Sequence, residues 1–445
     1  KIDYQFSDNS NFNFNFFGLK AQRNALGFRS NRVSQIDSDG ERDLIKGDFK
    51  NFGFETRWLK KYKISKYNSV FLVGNKFYKS NNTSQQGPGS NSSGPEFNFR
   101  LDEYPNYSLQ SNYNYPNENI SFFTENIFYL NDKFSITPGA RYEYIKTATD
   151  GAYKKINTDA AGNVILNLSI DSAESRKRSF ALFGLGFSYK RSEKIEYYAN
   201  ISQNYRSVTF ADISIINPAF SINPNITDEK GFTADFGLRG NIDKIVSFDL
   251  SFFNLSYQDR IGFVQRAYRD GSVKSERGNV GNANILGVES LIDLNLKEFS
   301  GINNNNYLLN VFLNFSFIDS EYTKSEEPGV TGKKVEFIPN SNIKTGLRFG
   351  YKNFLFSTQY TYLSSQYTDS SNAVDGNLSG VIGLIPSYEI VDISTSFLAG
   401  RFKFELGINN LFDKAYYTRR ATGYPGPGII TSPNRNIYFT TQVKI

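Results

Sequence analysis

The sequence predicts an all-β fold, a transmembrane antiparallel up-and-down β-barrel. Three observations carry that prediction. Apolar and polar residues alternate with a period of two, clearest near the C-terminal end. There Phe402, Phe404, Leu406 and Ile408 alternate with Lys403, Glu405, Gly407 and Asn409, and Ile437, Phe439, Val443 and Ile445 with Tyr438, Thr440, Gln442 and Lys444. Such a strand is apolar on one face and polar on the other. Aromatics make up 16% of the 445 residues, with 41 Phe and 29 Tyr, and Asn and Ser are abundant, a composition of strands and turns rather than helices. Finally, short turns alternate with loops of roughly 15 to 35 residues, as in outer-membrane barrels. No run of about 18 apolar residues marks a transmembrane helix, and mean hydropathy is negative. A barrel keeps its average hydropathy low because its apolar surface is spread over alternate positions.

Each element follows from the same pattern. Residues 1–6 form a short strand ending in the turn Ser7-Asp8-Asn9-Ser10, and Asn11-Phe12-Asn13-Phe14-Asn15-Phe16 alternates almost ideally. A loop over 22–46 holds Arg23, Arg29, Arg32 and Arg42. Strands 48–60 and 68–80 follow, and 81–116, rich in Gly, Ser, Asn, Pro and Tyr, reads as a long exposed loop. Three hairpins come next, 118–130 with 134–146, 176–190 with 196–205, and 230–240 with 245–257, separated by expected loops at 147–175 and 206–228. The chain then runs outward past Gln265, turns at Asp270-Gly271 and returns through Asn279-Val280-Gly281-Asn282-Ala283 to Leu296. Strand 307–322, hairpins 342–351 with 354–367 and 387–398 with 402–413, a loop built on Gly423, Pro425, Gly426, Pro427 and Gly428, and the last strand 436–445 complete it.

The count is about 17 strands, whereas bacterial single-chain barrels have an even number. If the short turns are periplasmic, the first and last strands both run inward, so strands are expected upstream of Lys1. A β-propeller would show a blade repeat of about 40 residues, and none is present. Sandwich strands are shorter and their loops do not alternate so strictly.

Composition also limits the chemistry. Zero Cys removes disulfides and thiolate sites, and zero His removes the usual general base and the commonest transition-metal ligand. The formal net charge of +6 is not gathered into a basic patch, so no nucleic-acid partner is expected. No nucleophile–base set or phosphate loop stands out, no cofactor is expected, and Glu326-Glu327 reads as solvated loop charge. An enzyme is therefore not predicted.

Several motifs, in order along the chain, resemble those of TonB-dependent outer-membrane receptors. They are Ile136-Thr137-Pro138-Gly139-Ala140-Arg141-Tyr142-Glu143, then Asn279-Val280-Gly281-Asn282-Ala283 with Gly287-Val288-Glu289, then Asn410-Leu411-Phe412-Asp413-Lys414-x-Tyr416. Within that family the ferric dicitrate transporters are most similar, through residues 198–203, 207–213 and 416–420. The resemblance implies a barrel of about 22 strands, a bacterial outer-membrane location, and an N-terminal plug with a TonB box, neither of which is visible here. Residues 1–445 then correspond to the C-terminal part of the barrel. It further implies energy coupling through TonB, ExbB and ExbD, contact with outer-membrane lipids and lipopolysaccharide, and import of a ferric chelate, ferric citrate by type. Arg suits a carboxylate-rich anion because its planar fork pairs carboxylates bidentately and stays charged. With no His, Cys or Met, the chain suits a preformed chelate held by its periphery.

By resemblance, Arg23 and Arg42 fall where the family's first two barrel arginines meet the ligand, and Gln265 falls at a matching amide position. A third arginine belongs in the loop before Glu118, where the sequence departs from the family pattern and Arg100 is the candidate. The bland reading of each Arg is a solvated loop charge or a lipopolysaccharide contact, and Arg29, Arg32, Arg206, Arg419 and Arg420 are alternates. The tyrosines from Tyr104 to Tyr115 either touch ligand or fold their loop. Other functions compatible with the sequence are a passive porin, a structural or assembly barrel, and a receptor for another siderophore or an oligosaccharide.

Overall fold

The computed structural model describes residues 1–28, 36, 37, 39–91, 94, 96–209, 212, 220–267, 273–378, 380–421 and 428–444. Its strands in chain order are β1 (Ile2–Ser7), β2 (Ser10–Gly27), β3 (Asp43–Ile64), β4 (Tyr67–Pro88), β5 (Ser111–Tyr129), β6 (Phe134–Thr158) and β7 (Val164–Ser192). Then come β8 (Ile195–Arg206), β9 (Phe220–Ile222), β10 (Glu229–Ile242), β11 (Val246–Ala267), β12 (Val273–Asn295), β13 (Tyr307–Lys324) and β14 (Ser341–Tyr351). The series ends with β15 (Phe354–Leu363), β16 (Tyr388–Ala399), β17 (Phe402–Asn409), β18 (Tyr417–Ala421), β19 (Gly428–Thr431) and β20 (Asn436–Val443). One 18-stranded sheet holds all but β18 and β19, which pair as a small hairpin. Of those 18, β9 joins by a short parallel pairing to β12. The other 17 form one antiparallel meander, strand for strand as the sequence predicts. The sheet is open: among the described residues β1 pairs only with β2, and β20 only with β17.

Tight turns gather at one end. Ser65, Asp243, Lys244, Lys352 and Gly400 take positive φ there, the backbone twist that two-residue hairpins require. Connections at the other end are longer.

Three expected loops are shorter than their sequence suggested. The loop expected at 22–46 shrinks because β2 runs to Gly27 and β3 begins at Asp43, which puts Arg23 on a strand. Residues 147–175 are mostly strand: β6 and β7 run for 25 and 29 residues and meet in a compact turn. There the Asp159 side chain accepts from the backbone N–H groups of Ala161 and Asn163 and from the Asn163 amide. Residues 81–116 likewise shrink, because β4 continues to Pro88 and β5 begins at Ser111. Backbone pairing does not depend on apolar side chains, so ladders continue where both faces have become polar. In β7 the period of two persists as alternating exposure from Ile170 to Leu182.

The two faces differ as a membrane requires. Phe236, Phe252, Val288 and Phe317 are register partners across β10, β11, β12 and β13 and form one outward apolar row. Phe16 and Phe183 are each 60% exposed, as lipid-facing rings are. Phe14, Phe54 and Phe77 stack in sequence on the same outward face. Opposite them, Arg141 pairs with Glu143 and donates to Ser121, and Asn119 donates to Glu143, so that motif lines the inside. The main buried cluster lies inside, toward the long-loop end. Phe253, Leu255 and Tyr257 pack there with Ala283, Ile285 and Tyr322, under Val330 and Val335 of the loop after β13.

Candidate functional site

The long-loop end is built around a bulge in β11. The register with β12 shifts on both sides of Arg260, and Asp259 takes φ 54°. A bulge bends the strand and re-aims its side chains. The motif at 279–283 holds it in place. Asn279 Nδ2 donates to the Asp259 carbonyl at 2.6 Å, and Asp259 N–H donates to the Asn282 side chain at 3.2 Å. Gly281 lies so close to the Lys324 carbonyl that a Cβ would collide with it, and its φ of 156° also disfavours a side chain. Ala283 is buried in the inner cluster.

The bulge turns Arg260 inward. Its Nη1 donates to Glu336 at 2.6 Å and to the Tyr322 hydroxyl at 2.8 Å, and that hydroxyl donates to the other Glu336 oxygen at 2.6 Å. Glu336 is 3% exposed, so the loop after β13 is fastened inside the barrel through a nearly dry carboxylate. A second network lies alongside. Asp212 accepts two bonds from Arg206 and two from Arg277, and also from the backbone and side chain of Thr209. Burial pushes its pKa up, but the Thr209 N–H and then the Arg277 and Arg206 guanidiniums outweigh burial and hold it at about 2. Glu229 links the networks, accepting from Arg206 at 3.0 Å and from the Ile261 N–H at 2.7 Å.

Arg206, Glu229, Arg260, Arg277 and Glu336 line a cavity of ≈ 620 Å³ together with Tyr205, Tyr257 and Phe263. Three guanidiniums stand against three carboxylates when Asp212 is included. The cavity is therefore polar but charge-compensated. Neighbouring loops close ranks around it. Asn372 bonds the backbone N–H and carbonyl of Lys334, Phe337 N–H donates to the Tyr367 carbonyl, and Ser370 donates to the Phe263 carbonyl. Arg420 ties the β18 hairpin to this group through the carbonyls of Gly380 and Leu384.

The four ligand candidates from sequence all lie toward this end of the sheet. Arg23 is exposed near the end of β2, on the same strand face as the inward-facing Phe17. Among the described residues it has no ion pair. Arg42 is clamped by Asp37 at 2.6 and 2.7 Å, with Asp39 at 3.7 Å. The Arg42 bond holds the Asp37 carboxyl below its usual range. Arg100 pairs with Glu96 and Glu103, each at 2.8 Å. The backbone brings Arg42 and Arg100 together: Gly89 N–H donates to the Arg42 carbonyl and Arg100 N–H to the Pro88 carbonyl. Gln265, exposed on β11, donates to its register partner Ser275 at 3.2 Å. Among the described residues no contact joins it to the three arginines. Of the alternates, Arg206 and Arg420 are committed to the bonds above, while Arg29 and Arg32 lie outside the described residues, as do 423–427 of the final loop and the turn at 270–271.

Sequence reasoning missed the Arg260–Glu336 pair, which spans 76 residues, and the Asp212 network, where Arg206 and Thr209 are near in sequence but Arg277 is 65 residues away. The paired Asn279 and Asn282 were the available signal, because their amides serve the bulge that aims Arg260.

A family model described as TonB dependent receptor-like, beta-barrel, matches residues 1–411. Among solved structures, the ferric citrate transporter FecA in its unliganded form superposes with a TM-score of 0.74 at 16% identity, covering 99% of this chain and 60% of that one. The ferric yersiniabactin uptake receptor FyuA from Yersinia pestis gives 0.72 at 16% identity, with the same coverage. The copper transporter OprC gives 0.68 at 15% identity, covering 98% of this chain and 63% of that one. The chain thus spans about 60% of the length of these structures, and at such identities the likeness concerns the fold. With the family model over most of its length, an open meander of outward aromatic rows and the loop-end vestibule, the chain belongs to the TonB dependent receptor-like β-barrel family of outer-membrane proteins.

Proposed function

We propose that this chain is the barrel portion of a TonB-dependent transporter that binds an anionic ferric chelate, of citrate type, in the vestibule and imports it. Family membership is the observation that carries the reading. It receives support from the likeness to a ferric citrate transporter and from motifs shared with the dicitrate group. The energy for release comes from TonB with ExbB and ExbD, acting on a plug outside residues 1–445. Among the described residues β1 and β20 each leave one edge unpaired, which lipid cannot satisfy, and on this reading further strands complete the barrel.

Arg23, Arg42, Arg100 and Gln265 are the proposed ligand contacts. They differ in readiness. Arg23 meets the chelate directly. Arg42 and Arg100 already hold Asp37 and the Glu96/Glu103 pair, so a carboxylate-rich chelate exchanges places with those loop carboxylates. Titration calorimetry on the full-length protein tests this with ferric dicitrate against a ferric catecholate. Preference for dicitrate, weakened on the order of tenfold by Arg23→Ala, supports the reading. Equal binding of both chelates, or none of dicitrate, rejects the citrate assignment. Conductance through purified, ligand-free protein in planar bilayers would favour a passive pore instead.

A further inference from the structure

Unlike β1 and β20, β7 lies in the middle of the meander, yet the outer part of one of its edges has no neighbour. β7 pairs with β8 only over 184–192, because β8 ends at Arg206. The end of β8 and the loop after it cover the next stretch. Phe183 N–H donates to Gln203 Oε1 at 3.0 Å, Arg178 pairs with Asp228 at 2.6 Å, and Arg176 donates to the Ile226 carbonyl at 2.6 Å. Beyond them, among the described residues, the backbone of 164–175 pairs only with β6. Over about 40 Å of strand, alternate residues thus point N–H and C=O groups away from the sheet. The other side of the same hairpin is braced. Lys154 N–H donates to the Gln110 carbonyl, its ammonium to the Pro105 carbonyl, and the Asn167 amide to the Asn106 side chain.

Exposed edges are ordinarily blunted by Pro, by Lys or by a bulge. Residues 164–175 hold no Pro, Lys or Arg, and their register with β6 is unbroken from Leu166 onward. Their side chains are sorted by face. Leu166, Leu168 and Ile170 share the face of Tyr153, with Leu168 52% and Tyr153 40% exposed. Ile165, Asn167, Ser169 and Asp171 lie on the other face. Asp171 has no ion pair among the described residues.

We propose that this edge docks an extended segment of a second protein outside the cell, which adds one strand to the sheet. A row of unpaired N–H and C=O groups at strand spacing is matched by another extended backbone, and by neither a lipid nor a small anion. The side chains set the partner's chemistry: apolar residues at alternate positions beside Leu166, Leu168 and Ile170, and a cation opposite Asp171. A second copy of this chain does not fit. Antiparallel pairing of β7 with itself needs a two-fold axis perpendicular to the sheet, hence in the membrane plane, which turns the second barrel upside down. Docking here is independent of which cargo the vestibule takes.

Fluorescence anisotropy with the full-length protein in detergent tests the proposal. The probe is a labelled peptide of about 12 residues, alternating valine and threonine, with lysine in place of one central threonine. Saturable one-to-one binding is expected, and it is lost when the same peptide is N-methylated throughout, which keeps the side chains and removes the donors. Leu168→Lys, at a half-exposed position, weakens binding on the order of tenfold. Asp171→Lys does the same for the lysine peptide and binds a peptide with glutamate at that place instead, a reversal that misfolding does not produce. Absence of binding by the parent peptide, equal binding of the N-methylated one, or no reversal with Asp171→Lys overturns the proposal. Wild-type dimers that Leu168→Lys abolishes would give the edge to a second copy and overturn it as well.

Discussion

Asn279 holds backbone from two sides of the vestibule with a single amide. Its Oδ1 accepts from the Thr227 N–H at 2.7 Å, and its Nδ2 donates to the carbonyls of Thr227 at 3.0 Å and Asp259 at 2.6 Å. One amide thus fastens the loop after β8 and the β11 bulge together. Asn279→Ala strands those backbone groups at a cost of about 1–3 kcal/mol, expected as an earlier loss of heat-modifiable gel mobility. An unchanged transition would remove the amide from this role. Asp212 gives a pH test. Its folded pKa of about 2 lies below the ordinary 3.8, so its contribution is fully present above pH ~4 and is lost as pH falls through 2. Pepsin cleavage within 206–228 is expected to rise between pH 4 and 2 in the wild type, and to be high already at pH 4 in Asp212→Asn. Cleavage that is independent of pH in this window would deny the carboxylate its anchoring role.

At the scale of elements, the loop after β13 is fastened inside by Glu336. Removing that carboxylate leaves Arg260 without its main partner, which costs about 3–5 kcal/mol where a buried pair is broken. Glu336→Ala is therefore expected to lower stability in detergent denaturation far more than Arg260→Met with Glu336→Leu, where both charges go. A double variant as unstable as the single one would mean packing, not charge, governs the contact. The same elements mark how far the sequence could be read. Alternation located every strand of the meander, because the membrane band imposes one apolar and one polar face. It failed above the band, where β6 and β7 stay paired with polar side chains and look like loop. The compensation of Arg42 and Arg100 was readable, since Asp39, Glu96 and Glu103 lie three or four residues away. The Arg260–Glu336 pair was not, because it spans 76 residues and depends on a bulge at Asp259.

For the whole molecule, the outward aromatic rows lie on one face of the sheet and the compensated cavity on the other, a division that fits the proposed import. Transport needs a vestibule that holds an anion and a coupled step that lets it go. The most direct test is uptake of radioactive iron, supplied as ferric dicitrate, by cells whose only receptor for it is the full-length protein. With the proposed import, uptake stops when the proton gradient is collapsed and falls on the order of tenfold at subsaturating chelate with Arg23→Ala. Uptake that survives collapse of the gradient and is indifferent to Arg23 would contradict it.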